Sequence, residues 1–127
     1  MTPETAQFLA KADKLLHEAD AMLSINLNDA AGRTAYLAGF HAAQAFISEK
    51  TSRMVKTHKG VLTEFQRLTK DDLTFAPELR GFLSQAYNLK AIADYETGPG
   101  AEVSAEQATR ALAQAKCFVA RLESLLA

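Results

Sequence analysis

Residues 36–60, which read YLAGFHAAQAFISEKTSRMVKTHKG, decide how the rest of this 127-residue chain is interpreted. The first half is rich in Gly and Ala, and its larger apolar residues recur at steps of three and four, which is the pattern of a buried α-helix. Small side chains let a neighbouring backbone approach closely, so we expect this helix to lie at the centre of the fold. The second half is a short basic segment that leads into another helix.

The sequence on either side of this stretch predicts four more amphipathic helices and contains no strand signal. Thr2 and Pro3 are suited to begin the first helix, and Pro77 is suited to begin the fourth. Thr57 is expected to cap the third helix, and Ser104 opens a capping box at the start of the fifth. The predicted helices cover residues 2–23, 29–50, 57–69, 77–95 and 104–126. The apolar pattern of the fifth helix places Leu125 on its buried face.

Short connections between these helices favour antiparallel neighbours. We therefore predict an all-α fold, an up-down antiparallel bundle of four long helices plus one shorter helix, the third. The length suits a single domain over residues 1–127 and allows a core to form without disulfides or metals. Segment 96–103 contains two glycines and a proline, so it is expected to be a loop.

The composition argues against several classes of protein. A net charge of -1 provides no global basic field, so any contact with nucleic acid has to come from a local patch. We expect no membrane association and a cytoplasmic location, since no apolar run reaches the length of a membrane span and no signal peptide is present. The single cysteine, Cys117, excludes an internal disulfide, and its apolar surroundings predict a buried side chain.

Nucleotide-cofactor and metal motifs are missing from the sequence. It contains no Walker loop, no dinucleotide fingerprint and no HExxH or Glu-x-x-His motif. We therefore expect neither a cofactor nor a bound metal.

The basic half of residues 36–60 carries Lys50, Arg53, Lys56 and Lys59 against one acid, Glu49. A solvated turn is the simplest interpretation of this pattern. The segment has no interleaved aromatic residue on which a base could stack, so the nucleic-acid signal is weak.

The three histidines have different surroundings. His58 stands at the start of the third helix among cations, which favour its neutral form. The positive end of the helix dipole there makes an anion the natural neighbour, either a phosphate or a carboxylate from another helix. His41 lies beside the buried stripe of the second helix and is expected to be partly buried and hydrogen-bonded to a neighbour. His17 is expected at the surface or its boundary.

The order and spacing of three motifs resemble the HEPN domain family, in particular its small stand-alone bacterial and archaeal members. The resemblance spans nearly the whole chain. It implies a four- or five-helix up-down bundle that is usually a homodimer, often with a minimal nucleotidyltransferase as partner. The motifs are Tyr36-x3-Phe40-His41-Ala42-Ala43, Lys56-Thr57-His58-Lys59-Gly60 and Ala93-Asp94-Tyr95.

Many members of the wider family are metal-independent ribonucleases that act through an Arg-x4-6-His motif. Such chemistry needs a histidine for proton transfer and an arginine for the phosphate charge. Arg53 and His58 satisfy the formal Arg-x4-His spacing, but they lie between the second and third helices. The resemblance places the catalytic motif near the fourth helical segment instead.

In that fourth segment, residues 89–95 depart from the catalytic pattern. Lys90 stands where the arginine would be, and Asp94-Tyr95 stands where a His-x-Tyr ending would be. Aspartate has too low an ordinary pKa to transfer protons readily near neutral pH. The departure favours a degenerate or repurposed site.

Three hypotheses follow. The first is a HEPN-like, non-catalytic or regulatory module that acts as a homodimer with a nucleotidyltransferase partner or with an RNA or nucleotide ligand. The second is an endoribonuclease, of the kind found as toxins in toxin–antitoxin pairs, with Arg53 and His58 as catalytic residues. The third is a purely structural interaction bundle.

The first hypothesis assigns a set of ligand-binding residues, with no metal among their partners. We also expect the end of the fourth helix to close onto the second helix or the 57–58 turn, with Asp94 paired to His58 or to a nearby lysine. The assigned ligand-binding residues are Lys56, Lys59, Lys90, Asp94, Tyr95 and His41.

Overall fold

The computed structural model describes all of residues 1–127 and contains five α-helices and no strand. The predicted all-α bundle of four long helices plus one shorter helix is confirmed, and α3 is the shorter helix. None of the five has both the length and the hydropathy needed to cross a membrane. The helices are α1 (Pro3–Ser24), α2 (Asn28–Thr51), α3 (His58–Thr69), α4 (Pro77–Tyr95) and α5 (Ala105–Leu126).

Side-chain caps explain where three of the helices begin. Thr57 Oγ1 accepts a hydrogen bond from the Gly60 N–H at 3.0 Å, and Thr2 caps α1 in the same way. Ser104 Oγ accepts from the Gln107 N–H at 3.0 Å, and the Ser104 N–H donates to Gln107 Oε1 at 2.9 Å. The predicted caps and capping box are therefore present. A cap of this kind contributes about 1 kcal/mol to stability.

Helix α2 is central, as predicted, because it packs against each of the other four helices. Its residues 42–48 are buried without interruption, so no face of this part of the helix is left to solvent. Alanine and glycine make this possible, since they allow backbones on several sides to come close. The buried small residues of α2 are Ala31, Gly32, Ala35, Ala38, Gly39, Ala42, Ala43 and Ala45.

Aromatic side chains fill the space that these small residues leave. Phe65 attaches α3 to the bundle, because its ring lies 5.7 Å from that of Phe46 on α2 and 5.4 Å from that of Phe118 on α5. Phe82 of α4 stacks on Phe118 at 4.9 Å. Phe75, in the connection between α3 and α4, is also buried, at 5% exposure.

Two burial predictions on α5 are wrong. Cys117 is exposed, because it lies one position off the buried stripe that contains Phe118 and faces outward beside Leu79 of α4. Leu125, expected on the buried face, is 36% exposed near the end of the helix. Apolar neighbours in sequence do not bury a residue that points away from the rest of the bundle.

Gly39 tests the close contact between α2 and α4. A Cβ at this position would overlap the ring of Phe82, so Gly39→Ala forces the ring or a helix to move. We expect the free energy of unfolding to fall by about 1–3 kcal/mol. Urea unfolding followed by circular dichroism measures it.

Gly81→Ala in α4 is the matched control, since its Cβ would meet only the Gln85 amide nitrogen, at 3.7 Å. Alanine is the better helix former, so this variant should gain about 0.5–1 kcal/mol. Unchanged stability of Gly39→Ala would contradict the contact with Phe82.

Candidate functional site

Aromatic, cationic and acidic side chains meet where the start of α3 packs against α2 and α4. Two of its residues come from α2, one from the first position of α3 and four from the second half of α4. We call this group the His58 cluster. Its members are Arg33, Tyr36, His58, Tyr87, Lys90, Asp94 and Tyr95.

The imidazole ring of His58 is held from two sides. Its Nδ1 lies 2.7 Å from the hydroxyl oxygen of Tyr36, and its face stacks on Tyr87 with ring centroids 3.8 Å apart and an interplanar angle of 14°. Tyr36 in turn meets Tyr87 edge-on at 5.5 Å. A hydrogen bond and a stacking contact together leave the ring little freedom to rotate.

Burial and a nearby charge keep His58 neutral. Burial lowers the pKa of His58, and the positive charge of Lys90 lowers it further. Burial also raises the pKa of the Tyr36 phenol far above its ordinary range, with Tyr87 adding to the effect. Near pH 7 the Tyr36–His58 pair therefore consists of a protonated phenol and an uncharged imidazole.

Asp94 joins α4 to α2. Its carboxylate accepts a hydrogen bond from Arg33 Nε at 2.8 Å and lies 2.8 Å from Lys90 Nζ. The hydrogen bond from Lys90 lowers the pKa of Asp94, and the charge of Arg33 contributes as well. The end of α4 thus contacts α2, as expected. The partners of Asp94 are Lys90 and Arg33, and His58 is not among them.

Tyr95 presents an open aromatic surface at the end of α4. It is 71% exposed, and Lys90 Nζ lies 5.0 Å from its ring centroid and 3.4 Å from its hydroxyl oxygen. The basic segment has no aromatic residue in its own sequence. The fold places Tyr87 against His58 of that segment, and Tyr95 follows along α4.

Arg53 and His58 have different partners. Arg53 Nη1 lies 3.5 Å from Glu64 Oε1 on α3, and Glu64 is also bound by Arg67. No hydrogen bond joins Arg53 to His58, whose contacts are with α2 and α4. The Arg-x4-His spacing therefore does not bring the two side chains into one hydrogen-bonded unit within a chain.

Lys56 and Lys59 are exposed, and neither takes part in an ion pair within the chain. Lys59 and Arg53 line an open cleft of about 390 Å³ beside α3, and the lining of this cleft does not include His58. The free charge of Lys59 thus lies at a cleft that is separate from the contacts of His58 with Tyr36 and Tyr87.

The contacts of His41 hold the fold together. Its Nδ1 lies 2.7 Å from Gln44 Oε1, and Gln44 Nε2 donates to the carbonyl oxygen of Val55 at 2.8 Å. Its ring lies nearly parallel to that of Phe8 at 6.4 Å, and burial lowers its pKa. His41 is therefore partly buried and hydrogen-bonded, as expected, and none of these contacts is with the His58 cluster.

Tyr87 and Arg33 are site residues that no sequence motif predicted. The available signal was their spacing. Tyr87, Lys90 and Asp94 recur at three and four residues along α4, and Arg33 lies three residues before Tyr36 on α2. Residues at these spacings share a helix face. The spacing alone does not say that the two faces meet at His58.

Comparison with known proteins shows the family. The model of the HEPN domain matches residues 5–125. The chain belongs to the HEPN family. This HEPN domain is 31% identical to a UPF0332 protein of Archaeoglobus fulgidus over 116 residues, which are 91% of this chain and 90% of that relative. The resemblance inferred from the three motifs is therefore confirmed.

A solved structure has the same fold as this HEPN domain. The crystal structure of TT1696 from Thermus thermophilus superimposes with a TM-score of 0.82 and covers 97% of this chain and 98% of its own chain. At 17% sequence identity the likeness concerns the fold alone.

The charge of Lys90 should be measurable at His58. We expect Lys90→Gln to raise the pKa of His58 towards its ordinary value of 6.5, and burial, the larger cause, should keep it lower. An NMR titration of the His58 ring protons measures the change. Lys116→Gln, which removes a charge paired with Asp20 on the α1–α5 side, should leave the His58 pKa unchanged. Equal shifts of the His58 pKa in both variants would contradict a local effect of the Lys90 charge on His58.

The lowered pKa values of His58 and His41 predict a dependence of stability on pH. The unfolded histidines take up protons before the folded ones do, so their contribution is complete above about pH 6.5 and is lost as the pH falls through the folded values. We expect the free energy of unfolding to fall as the pH falls below about 7. The variant with His41→Gln and His58→Gln should have a flatter profile there, and an equally steep one would count against the prediction.

Proposed function

We propose that this HEPN domain is a non-catalytic or regulatory module that acts as a homodimer in the cytoplasm and binds RNA or a nucleotide through the His58 cluster. The observation that carries the proposal is the exposed ring of Tyr95 beside Lys90, whose positive charge also acts on the neutral His58. Proteins that bind single-stranded nucleic acid combine such aromatic rings, on which bases stack, with cations that contact the backbone.

The groups of the cluster follow one another along α4, which supports a ligand of more than one nucleotide. Lys90 Nζ lies 5.8 Å from the ring centroid of Tyr87 and 5.0 Å from that of Tyr95. At a rise of about 1.5 Å per residue, positions 87 to 95 extend over roughly 12 Å. If the nucleotides stack with the rise of about 3.4 Å that they have in a DNA strand, a few of them match this length.

The separate partners of Arg53 and His58 support a non-catalytic role. Ribonuclease chemistry needs a histidine and an arginine near one phosphate. Within the chain, Arg53 is paired with Glu64 and His58 with Tyr36. Near Tyr95, the charge of Lys90 is partly balanced by Asp94, a residue with a lowered pKa that does not exchange protons near pH 7.

Membership of the HEPN family favours two further parts of the proposal, a homodimer and a minimal nucleotidyltransferase as protein partner. Size-exclusion chromatography with light scattering tests the first. Co-purification with a nucleotidyltransferase encoded next to this chain tests the second. Neither test depends on the chemistry of the His58 cluster.

Binding of a short, fluorescein-labelled single-stranded RNA tests the ligand. Base–aromatic stacking contributes about 1–3 kcal/mol, so Tyr95→Ala should weaken binding by about tenfold. Lys90→Gln should weaken it and reduce the dependence of affinity on salt, because one phosphate contact is lost. Arg110→Gln is the charge-matched control, since Arg110 pairs with Glu106 on α5, and it should bind like wild type.

Two results would overturn the proposal. Cleavage of the RNA by wild type and its loss in His58→Ala would favour the endoribonuclease, and Arg53→Ala then reports whether the two residues act together. No binding and no thermal shift with RNA or AMP would favour a purely structural bundle, because a bound ligand raises stability by mass action.

A further inference from the structure

The Tyr36 hydroxyl has one hydrogen-bond partner in the chain. Tyr36 is 3% exposed, and its hydroxyl oxygen forms a hydrogen bond only with Nδ1 of His58, at 2.7 Å. A buried hydroxyl without an acceptor carries an unfavourable desolvation cost. Since the phenol keeps its proton at neutral pH, that proton needs Nδ1 as its acceptor.

This requirement selects one of the two neutral forms of His58. A neutral imidazole carries its proton either on Nδ1 or on Nε2. With the proton on Nδ1, the ring would donate to Tyr36 and leave the buried phenolic hydrogen unpaired. With the proton on Nε2, the phenol donates to Nδ1 and both groups are satisfied.

The other ring nitrogen, Nε2, is accessible to a ligand. Nε2 of His58 has no hydrogen-bond partner in the chain and is not enclosed by it. The ring is fixed by its stacking on Tyr87, so the direction of the Nε2–H bond is fixed too. Lys90, also next to Tyr87, provides a positive charge on the same side of α4.

We propose that Tyr36 is a positioning residue that holds His58 as the Nε2–H tautomer, and that His58 donates this hydrogen to a phosphate oxygen of the bound RNA or nucleotide. The ligand part rests on the proposed function. A phosphate oxygen fits because it is a strong acceptor and because its negative charge is favoured beside Lys90.

The assignment also specifies what His58 does not do. A general base needs a lone pair within reach of the proton that it removes. Here the Nδ1 lone pair is occupied by the Tyr36 hydrogen, and Nε2 already carries a proton. In this form His58 orients a phosphate and does not abstract the proton of a ribose hydroxyl.

Nitrogen-15 NMR of the free protein tests the tautomer directly. The couplings of the two ring carbon-bound protons to Nδ1 and Nε2 distinguish the neutral forms. We expect the Nε2–H pattern for His58 in wild type at neutral pH, and a mixture of the two patterns in Tyr36→Phe, which keeps the ring but removes the donor. An Nδ1–H pattern in wild type would overturn the inference.

RNA titration tests the donated hydrogen bond. The Nε2 resonance should shift when the labelled RNA binds, and inorganic phosphate or AMP should compete for the site. Tyr36→Phe should lower the affinity by about three- to tenfold, the effect of one hydrogen bond. His58→Gln, which can place an amide N–H near the position of Nε2, should bind more tightly than His58→Ala.

The outcomes separate the two proposals. An Nδ1–H tautomer, or an Nε2 resonance that RNA leaves unmoved, overturns the role of Tyr36 and His58 while Tyr95→Ala and Lys90→Gln still report RNA binding. Complete absence of RNA and AMP binding overturns the proposed function, and the phosphate part of this inference with it. Circular dichroism and thermal unfolding of Tyr36→Phe and His58→Gln verify that both variants fold.

Discussion

The close packing of α2 is the constraint on which the rest of the structure depends. Its alanines and glycines let four helices approach one axis, and Gly39 allows the ring of Phe82 to rest directly on the α2 backbone. With larger residues there, α4 would stand farther from α2. Tyr87, on the same helix as Phe82, would then lose its position against His58. The candidate site is therefore a consequence of small residues that take no part in its chemistry.

Two kinds of contact connect this scaffold to the site. Tyr36 lies on α2 and reaches His58 at the first position of α3, so the polar contact is built on the most buried helix. Asp94 bridges Lys90 and Arg33 and secures the last turn of α4 to α2. Both contacts lie at helix ends, the first at the start of α3 and the second at the end of α4. Backbone N–H and C=O groups at helix ends lack partners within the helix, so side-chain contacts there help to hold these ends in place.

Comparison of the predicted and observed site shows where local patterns are sufficient. The helix caps at Thr57 and Ser104 involve only residues up to three positions away in the sequence, so they were predictable. The pairing of Asp94 with Lys90 is also local, since the two residues are one helical turn apart. The Arg53–His58 spacing does not produce a direct contact within the chain, because one side chain reaches Glu64 and the other reaches Tyr36. Spacing across a turn does not define the direction in which side chains point.

The sequence by itself determined the all-α class, the five helices, the central place of α2 and the family, because periodicity, caps and motif order are properties of neighbouring residues. Only the tertiary structure decided that Tyr87 stacks on His58, that Arg33 binds Asp94 and that Cys117 faces outward. These contacts depend on which faces of separate helices meet. That choice is made by packing over the whole core, in which residues far apart in the chain compete for the same space.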